Sequence, residues 1–149
     1  MINLAKFYIT TPIYYVNDKP HLGHFYTTLI ADVLARWHRL KGEDVFFLTG
    51  TDENSQKNVK SAEIAGKDVR EYVNEMAHVW KTTWEKLNIS FDDFIRTTED
   101  RHKKAVYEFF RRVMEKGDIY KGKYIGYYCV DCEAFLTKSD LIDGKCPIH

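Results

Sequence analysis

Residues 10–24, with the sequence TTPIYYVNDKPHLGH, decide the fold of this chain. The short apolar run before them, residues 5–9, is typical of a first β-strand, and the long amphipathic run after them, residues 25–40, predicts a helix. The connecting loop holds two prolines, a glycine and two histidines. Because free N–H groups and the positive end of the helix dipole face outward at a helix N-terminus, we expect phosphate to bind here.

The composition is that of an ordinary globular protein. The 149 residues fit one domain, or one domain with a small appendage, and are 44% hydrophobic and 30% charged. The 22 basic and 22 acidic residues cancel, which argues against binding nucleic acid through bulk charge. No apolar run approaches the ~20 residues of a membrane span and no signal peptide is evident, so we expect a cytoplasmic protein with no membrane partner.

The chain begins with a predicted strand–helix–strand unit. Strand one covers residues 6–10 and stops before Pro12, the helix ends at Gly42, and residues 44–49 look like a buried parallel strand. Polar residues 50–54 follow that strand, at the sheet edge where ligands bind in open parallel sheets. The two loops should therefore face one crevice.

Further elements are predicted downstream. Helices are expected over 55–65, 69–87 and 101–116, and short strands over 119–120 and 124–128. The second and third of these helices carry apolar stripes that we interpret as core packing. Their members are Val69, Tyr72, Val73, Met76, Val79, Trp80 and Leu87, then Val106, Phe109, Phe110, Val113 and Met114.

The two histidines of the first loop are candidate ligands for an anion. His21 and His24 flank the first turn of the helix, and Gly23 lets backbone come close to a ligand. Imidazole N–H groups there could stabilise charge that develops on a phosphate. No Walker loop or dinucleotide glycine motif accompanies them. The remaining histidines considered, His38, His78 and His102, are interpreted as surface or hydrogen-bonded residues.

The cysteines predict a metal site. Cys129 and Cys132 form one C-x-x-C pair, and Cys146 with His149 forms a second pair of the same spacing. A Cys₃His set is a closed tetrahedral zinc site with no position left for water, so the zinc should be structural. The alternative is a group of buried cysteines without a ligand.

These motifs carry a family resemblance. The sequence His21-Leu22-Gly23-His24 resembles the first signature of the class I aminoacyl-tRNA synthetases, and residues 10–24, 47–53 and 92–98 resemble the methionyl-tRNA synthetases. The resemblance implies an α/β fold, namely the first half of a Rossmann-like parallel-sheet nucleotide-binding domain over residues 1–117. Residues 118–149 would begin a small zinc-knuckle insertion of the kind that this family carries.

The resemblance also implies roles for single residues. His21 and His24 would contact ATP phosphates and stabilise the transition state, with Asn17 and Gly23 shaping the ATP site. The amino acid would be held by a second group of residues, Pro12, Ile13, Tyr15 and Asp52. In that group the Ile13 backbone and the Asp52 carboxylate would bind the methionine amino group, and Pro12 and Tyr15 would line the thioether.

Three points bear on these roles. Asp52 could instead be a helix N-cap, and Tyr15 could simply pack in the core. The family commonly continues after the Asp52 position with Glu-His-Gly, whereas this chain has Glu53-Asn54-Ser55. Because Asn54 cannot titrate as histidine does, a role of that position in nucleotide contacts does not carry over.

The resemblance implies a methionine–tRNA ligase that uses ATP with Mg²⁺ as substrate and tRNA as partner. We expect these residues to be an N-terminal portion of such an enzyme that alone activates methionine poorly or not at all, because they contain no second half-fold, Lys-Met-Ser-Lys-Ser loop or anticodon-binding domain. Two alternatives are a small nucleotidylyltransferase and a non-catalytic zinc-bearing module that binds tRNA or a protein. The basic residues that favour the module, which we interpret as a solvated helix face, are Arg101, Lys103, Lys104, Arg111 and Arg112.

Overall fold

A computed structural model describes residues 4–149 of the chain. The chain divides into two compact units, Met1–Lys103 and Lys104–His149. Within residues 4–149, no helix is both long and apolar enough to cross a bilayer.

The first unit is built on a parallel sheet, which confirms the predicted α/β class. Its central strand, β3 (Asp44–Asp52), pairs along one edge with β1 (Lys6–Thr10) and then with the short β2 (Tyr14–Tyr15). Strand β4 (Asp93–Arg96) pairs along the opposite edge of β3. Gly50 permits that pairing, because a Cβ atom there would lie 2.0 Å from the carbonyl oxygen of Ile95.

Three helices belong to the first unit: α1 (Leu22–Leu40), α2 (Gln56–Ile64) and α3 (Val69–Lys86). All three were predicted from the sequence, α1 and α3 from apolar periodicity, with ends that differ from the prediction by at most a few residues. The fully buried side chains of Phe47, Trp80 and Trp84 mark the centre of the core between the helices and the sheet.

Helix α1 turns its small residues inward. Ala31 and Ala35 are buried, which lets the helix lie close to β3. The large apolar residues of the same helix are on the other side, where Val33 and Trp37 are 57% and 58% exposed. Most large apolar residues of the amphipathic run 25–40 therefore lie on the outer face of α1.

Helix α4 (Asp100–Glu115) starts at the end of the first unit and continues into the second. No α4 residue is buried, and Phe109 is 72% exposed, so the predicted core packing is wrong for this helix. Leu87 and Val69, assigned to the core with α3, are also exposed, while Val73, Met76 and Trp80 are buried as predicted. Helical periodicity identifies an apolar side but not whether other residues cover it.

The second unit contains an antiparallel hairpin, β5 (Tyr127–Cys129) and β6 (Ala134–Leu136), followed by a 3₁₀ turn at Lys138–Asp140. The prediction of a strand over 124–128 is correct only at its end, and residues 119–120 form no strand. Strands β2 and β4 were not predicted, and β3 runs to Asp52, beyond the predicted end at residue 49.

Candidate functional site

The loop after β1 is fixed at its start by two threonines. The Thr11 hydroxyl donates to the carbonyl of Pro12 at 2.8 Å, so it accepts the hydroxyl of Thr49, 2.7 Å away on β3. Thr11 and Thr49 are buried, whereas Pro12 and Ile13 are exposed beside them. The loop therefore presents these two predicted site residues at the carboxyl end of β1.

Tyr14 ties the loop to the first turns of α1. Its buried side chain places its hydroxyl oxygen 3.0 Å from the hydroxyl oxygen of Thr28. Its ring lies 4.9 Å from the His24 ring and stacks on Trp80 at 5.1 Å, measured between ring centroids. The sequence analysis did not name Tyr14 as a site residue, yet its ring packs edge-on against the His24 ring.

The two predicted histidines form the N-terminal cap of α1. The His21 Nδ1 atom accepts the Gly23 backbone N–H at 3.1 Å, and the His24 Nδ1 atom accepts the His21 backbone N–H at 3.2 Å. This reciprocal pattern is a capping box made of imidazoles instead of a hydroxyl and a carboxylate. An Nδ1 that accepts carries no proton, so we infer that both neutral rings carry theirs on Nε2.

The surroundings of His24 affect its charge state. Partial burial, followed by the proximity of His21, lowers the pKa of His24 below its ordinary value. The ring centroids of the two histidines are 3.7 Å apart, so charging both would be unfavourable. The lowered pKa favours the neutral form of His24, whose Nε2–H is then a donor beside the positive end of the α1 dipole.

Gly23 leaves room for the His21 ring in this geometry. A Cβ atom at position 23 would lie 3.0 Å from Cε1 of His21. The absence of a side chain at this position therefore allows the His21 ring to fold over the helix end.

Asp52 lies beside Tyr15, because these two residues are register partners at the ends of β3 and β2. The Asp52 Oδ1 atom accepts the Asn54 N–H at 3.1 Å. The N-cap of α2 is Ser55, whose hydroxyl oxygen accepts the Lys57 N–H at 3.1 Å, so the alternative of Asp52 as a helix N-cap is excluded.

The neighbouring carboxylate, Glu53, has a different environment. It is buried and paired with Arg96 of β4 through Nε at 2.6 Å and Nη2 at 3.1 Å. The hydroxyls of Thr51 and Thr98 also donate to it. This network fixes the carboxyl ends of β3 and β4, and so the backbone that carries Asp52.

The cysteine and histidine side chains converge in the second unit. The ligand atoms of Cys129, Cys132, Cys146 and His149 all lie within 4.8 Å of one another. The sulfurs of Cys132 and Cys146 are 3.6 Å apart, and the Cys132 sulfur lies 3.1 Å from Nδ1 of His149. Ligands about 2.3 Å from a tetrahedral zinc are roughly 3.8 Å from each other, so the arrangement fits that metal.

The thiols of this cluster differ in acidity. Backbone N–H groups of Ile148 and His149 lower the pKa of Cys146 to about 6. Desolvation, then contact with Cys146, raises the pKa of Cys132 to about 12. Crowded thiols cannot all ionise without a cation, whereas a bound divalent metal would deprotonate them.

Comparison with known proteins identifies the family. The family model described as tRNA synthetases class I (M) matches residues 7–149. The chain belongs to this family.

Two curated relatives and one solved structure give the scale of the similarity. This synthetase chain is 54% identical over 137 residues to the methionine–tRNA ligase of Thermotoga maritima and 53% identical over 141 residues to that of Caldanaerobacter subterraneus. The matches cover 92% and 95% of the chain but only 22% of each relative. The solved structure is Mycobacterium tuberculosis methionyl-tRNA synthetase in complex with methionyl-adenylate. It superposes on this chain with a TM-score of 0.89 at 43% sequence identity, and the match covers 95% of this chain and 28% of the M. tuberculosis chain.

Three of the five basic residues that favour a tRNA- or protein-binding module in this synthetase chain form ion pairs. Arg101 pairs with Asp93 and Glu99, and its guanidinium lowers the pKa of Asp93. Arg111 and Arg112 both pair with Glu108. These pairs support the interpretation of α4 as a solvated helix face rather than a nucleic-acid patch. His38, interpreted as a hydrogen-bonded residue, bonds to Glu43.

Two cavities adjoin the site. One of about 480 Å³ is lined by Leu22, Gly23, Phe25, Tyr26 and Leu29 at the start of α1. The other, about 720 Å³, lies beyond the ends of β3 and β4 and touches Glu53, Asn54 and Arg96. The first adjoins the histidine cap and is the nearer of the two to the predicted ATP contacts.

Proposed function

We propose that this chain carries the amino-acid- and ATP-binding part of a methionine–tRNA ligase. The observation that carries the proposal is the imidazole capping box of His21 and His24, whose Nε2–H donors stand free of the capping bonds. The similarity to the curated methionine–tRNA ligases supports methionine as the amino acid.

In the proposed reaction the methionine carboxylate attacks the α-phosphate of ATP. The bond to the pyrophosphate leaving group breaks, and methionyl-adenylate forms; the terminal ribose of tRNA would then accept the methionyl group. His21 and His24 would donate hydrogen bonds to phosphate oxygens as negative charge develops, with Asn17 and Gly23 shaping the ATP site. Mg²⁺ would accompany ATP as part of the substrate.

Methionine would be held at the ends of β2 and β3. The Asp52 carboxylate would pair with the ammonium group, and the Ile13 backbone would accept from the same group. Pro12 and the Tyr15 ring would border the thioether, which suits a polarisable sulfur. The register pairing of Tyr15 with Asp52 supports this grouping.

The metal would be a structural zinc held by Cys129, Cys132, Cys146 and His149, as the donor set and distances support. It would stabilise residues 118–149, the proposed insertion, and take no part in the reaction. We further propose that these 149 residues alone do not catalyse methionine activation, because they include no Lys-Met-Ser-Lys-Ser sequence.

The test compares two aspartates of one strand. Asp52→Asn removes the proposed ammonium partner at the end of β3, and Asp44→Asn makes the same change at its start. Losing a charged hydrogen bond should weaken methionine binding to the chain about tenfold or more, measured by saturation-transfer NMR with alanine as the non-cognate ligand. Asp44→Asn should bind as the wild type does.

A chimera supplies the activity test. This chain would replace the matching segment of the Thermotoga maritima ligase, and methionine-dependent pyrophosphate exchange would be measured. We expect exchange in the chimera and its loss with Asp52→Asn. An inactive chimera that folds, or an Asp52→Asn variant with full exchange, would contradict the proposal.

A further inference from the structure

Helix α3 holds the loop between β2 and α1 at two consecutive carbonyl groups. The Tyr72 hydroxyl donates to the carbonyl of Asn17 at 2.9 Å, and the Trp80 indole N–H donates to the carbonyl of Asp18 at 2.9 Å. These bonds join parts of the chain 55 and 62 residues apart. The short segment between Tyr15 and the His21 cap is thus tied to a helix.

Helix α3 is anchored in the hydrophobic core. Val73, Met76 and Trp84 of α3 are buried in the core on the side that carries Tyr72 and Trp80. Trp80 itself is fully buried. A donor on such a side chain loses little additional freedom when it bonds, so its position is well defined.

Trp80 also contacts the residues on both sides of the tied segment. Its ring stacks on Tyr14 at 5.1 Å and meets the edge of His24 at 4.8 Å, between centroids. The Trp80 side chain therefore contacts Tyr14 in β2, the carbonyl of Asp18 in the loop and His24 in α1.

We propose that Tyr72 and Trp80 are positioning residues for ATP, acting through the loop at Asn17 and Asp18. We call these two residues the α3 clamp. The inference rests on the proposed function, because it assigns the clamp to the ATP contacts of His21, His24 and Asn17. The amino-acid contacts at Tyr15 and Asp52 are held by the β2–β3 pairing, and neither hydrogen bond of the clamp reaches them, so loss of those bonds should affect ATP more than methionine.

Tyr72→Phe tests the clamp with the smallest change. It removes one hydroxyl and keeps the ring that packs against the core. Losing one neutral hydrogen bond should weaken Mg²⁺–ATP binding to the chain about twofold to tenfold in calorimetry, and leave methionine binding unchanged. Tyr107→Phe makes the same chemical change on the exposed face of α4 and should alter neither affinity.

Trp80→Phe provides a second variant. It keeps an aromatic ring beside Tyr14 and His24 but removes the indole donor, and should again affect ATP more than methionine. Amide hydrogen exchange should become faster over residues 17–21 in both variants and stay unchanged along β3. This measurement separates a released loop from general destabilisation.

The outcomes distinguish the two proposals. A wild-type chain that binds neither ATP nor methionine contradicts the proposed function, and the clamp with it. A wild-type chain that binds ATP, together with Tyr72→Phe and Trp80→Phe variants of unchanged ATP affinity, contradicts the clamp alone. An equal loss of ATP and methionine binding also contradicts it, since that would indicate a purely structural role.

Discussion

At the start of α1, two imidazoles perform the capping that serine, threonine or aspartate performs at most helices. In both His21 and His24, Nδ1 accepts a hydrogen bond from a backbone N–H, and Nε2–H remains available to a ligand. A hydroxyl or carboxylate cap could satisfy the backbone but would offer no such N–H donor. Histidine therefore caps the helix and keeps an N–H donor for the anion contact proposed above.

A cap of this kind should depend on pH. Protonation of His24 places a hydrogen on Nδ1, which then cannot accept the His21 N–H. The pKa of His24 is lower in the folded state than in the unfolded state. The neutral ring therefore contributes fully to the free energy of unfolding above about pH 6.5, the ordinary histidine pKa. That contribution is lost as the pH falls through the lower, folded-state pKa.

The measurement is urea unfolding of wild type and His24→Asn between about pH 5 and pH 8. The stability advantage of the wild type over His24→Asn should shrink toward low pH. His78→Asn changes an exposed histidine of α3 and serves as the control. Its difference from wild type in the free energy of unfolding should vary less with pH. A difference for His24→Asn that is constant across this range would contradict an accepting Nδ1.

Adjacent carboxylates at the end of β3 illustrate the limits of sequence reasoning at this scale. The resemblance to the synthetases assigned Asp52 a role, but nothing in the pattern separated it from Glu53. The structure does, because Arg96 reaches Glu53 from a strand that lies 43 residues further along the chain. Partners this distant depend on sheet order, which a local pattern does not contain.

Among the elements, the β3–β4 pair depends on that buried ion pair. Arg96→Met would leave the Glu53 carboxylate, which is fully buried, without its guanidinium partner. Removing one member of a buried pair costs about 3–5 kcal/mol of the free energy of unfolding. Chemical denaturation should reveal a loss of that size.

Arg101→Met is the matched control, because it breaks exposed pairs with Asp93 and Glu99. Such pairs contribute at most about 1 kcal/mol. If Arg96→Met were no more destabilising than Arg101→Met, the network around Glu53 would not hold the sheet edge.

The helices show what periodicity can and cannot predict. The positions of α1, α2, α3 and α4 followed from apolar spacing and from glycine at helix ends. The buried face of α1 did not, since Ala31 and Ala35 give a weaker apolar signal than Val33 and Trp37 on the exposed side. Strands β2 and β4 are too short for an alternating pattern to stand out.

At the scale of the whole molecule, the two units should respond differently to metal. The second unit has short strands and mostly exposed aromatic residues, so metal ligation would supply stability that its core does not. The first unit has a core of its own.

Elemental analysis should therefore find about one zinc per chain, and Cys146→Ser should lower that content. Chelation should speed amide exchange at β5 and β6 and leave β3 unchanged, which makes β3 the internal control. Protein prepared from zinc-replete medium without zinc would contradict the metal assignment. So would equal effects of chelation on β3 and on the hairpin.

The convergence of Cys129, Cys132, Cys146 and His149 was predictable from spacing alone, because two short ligand pairs constrain the fold around them. The position of His21 and His24 at the start of a helix was also predictable, while their role as an anion site stays a prediction. The α3 clamp was not, since Tyr72 and Trp80 look like ordinary core residues and their donors serve carbonyls far away in sequence.

The histidine cap affects which histidines of the chain are available to bind a metal ion. A transition metal binds an imidazole through a lone pair, and in His21 and His24 the lone pair at Nδ1 is already used by the backbone while Nε2 carries a proton. Chelation by this pair would require breaking these two capping hydrogen bonds. With His149 as a zinc ligand, as proposed, the same residue type would bind metal there and resist it at the helix cap. Zinc would then not block the loop that we propose to bind ATP.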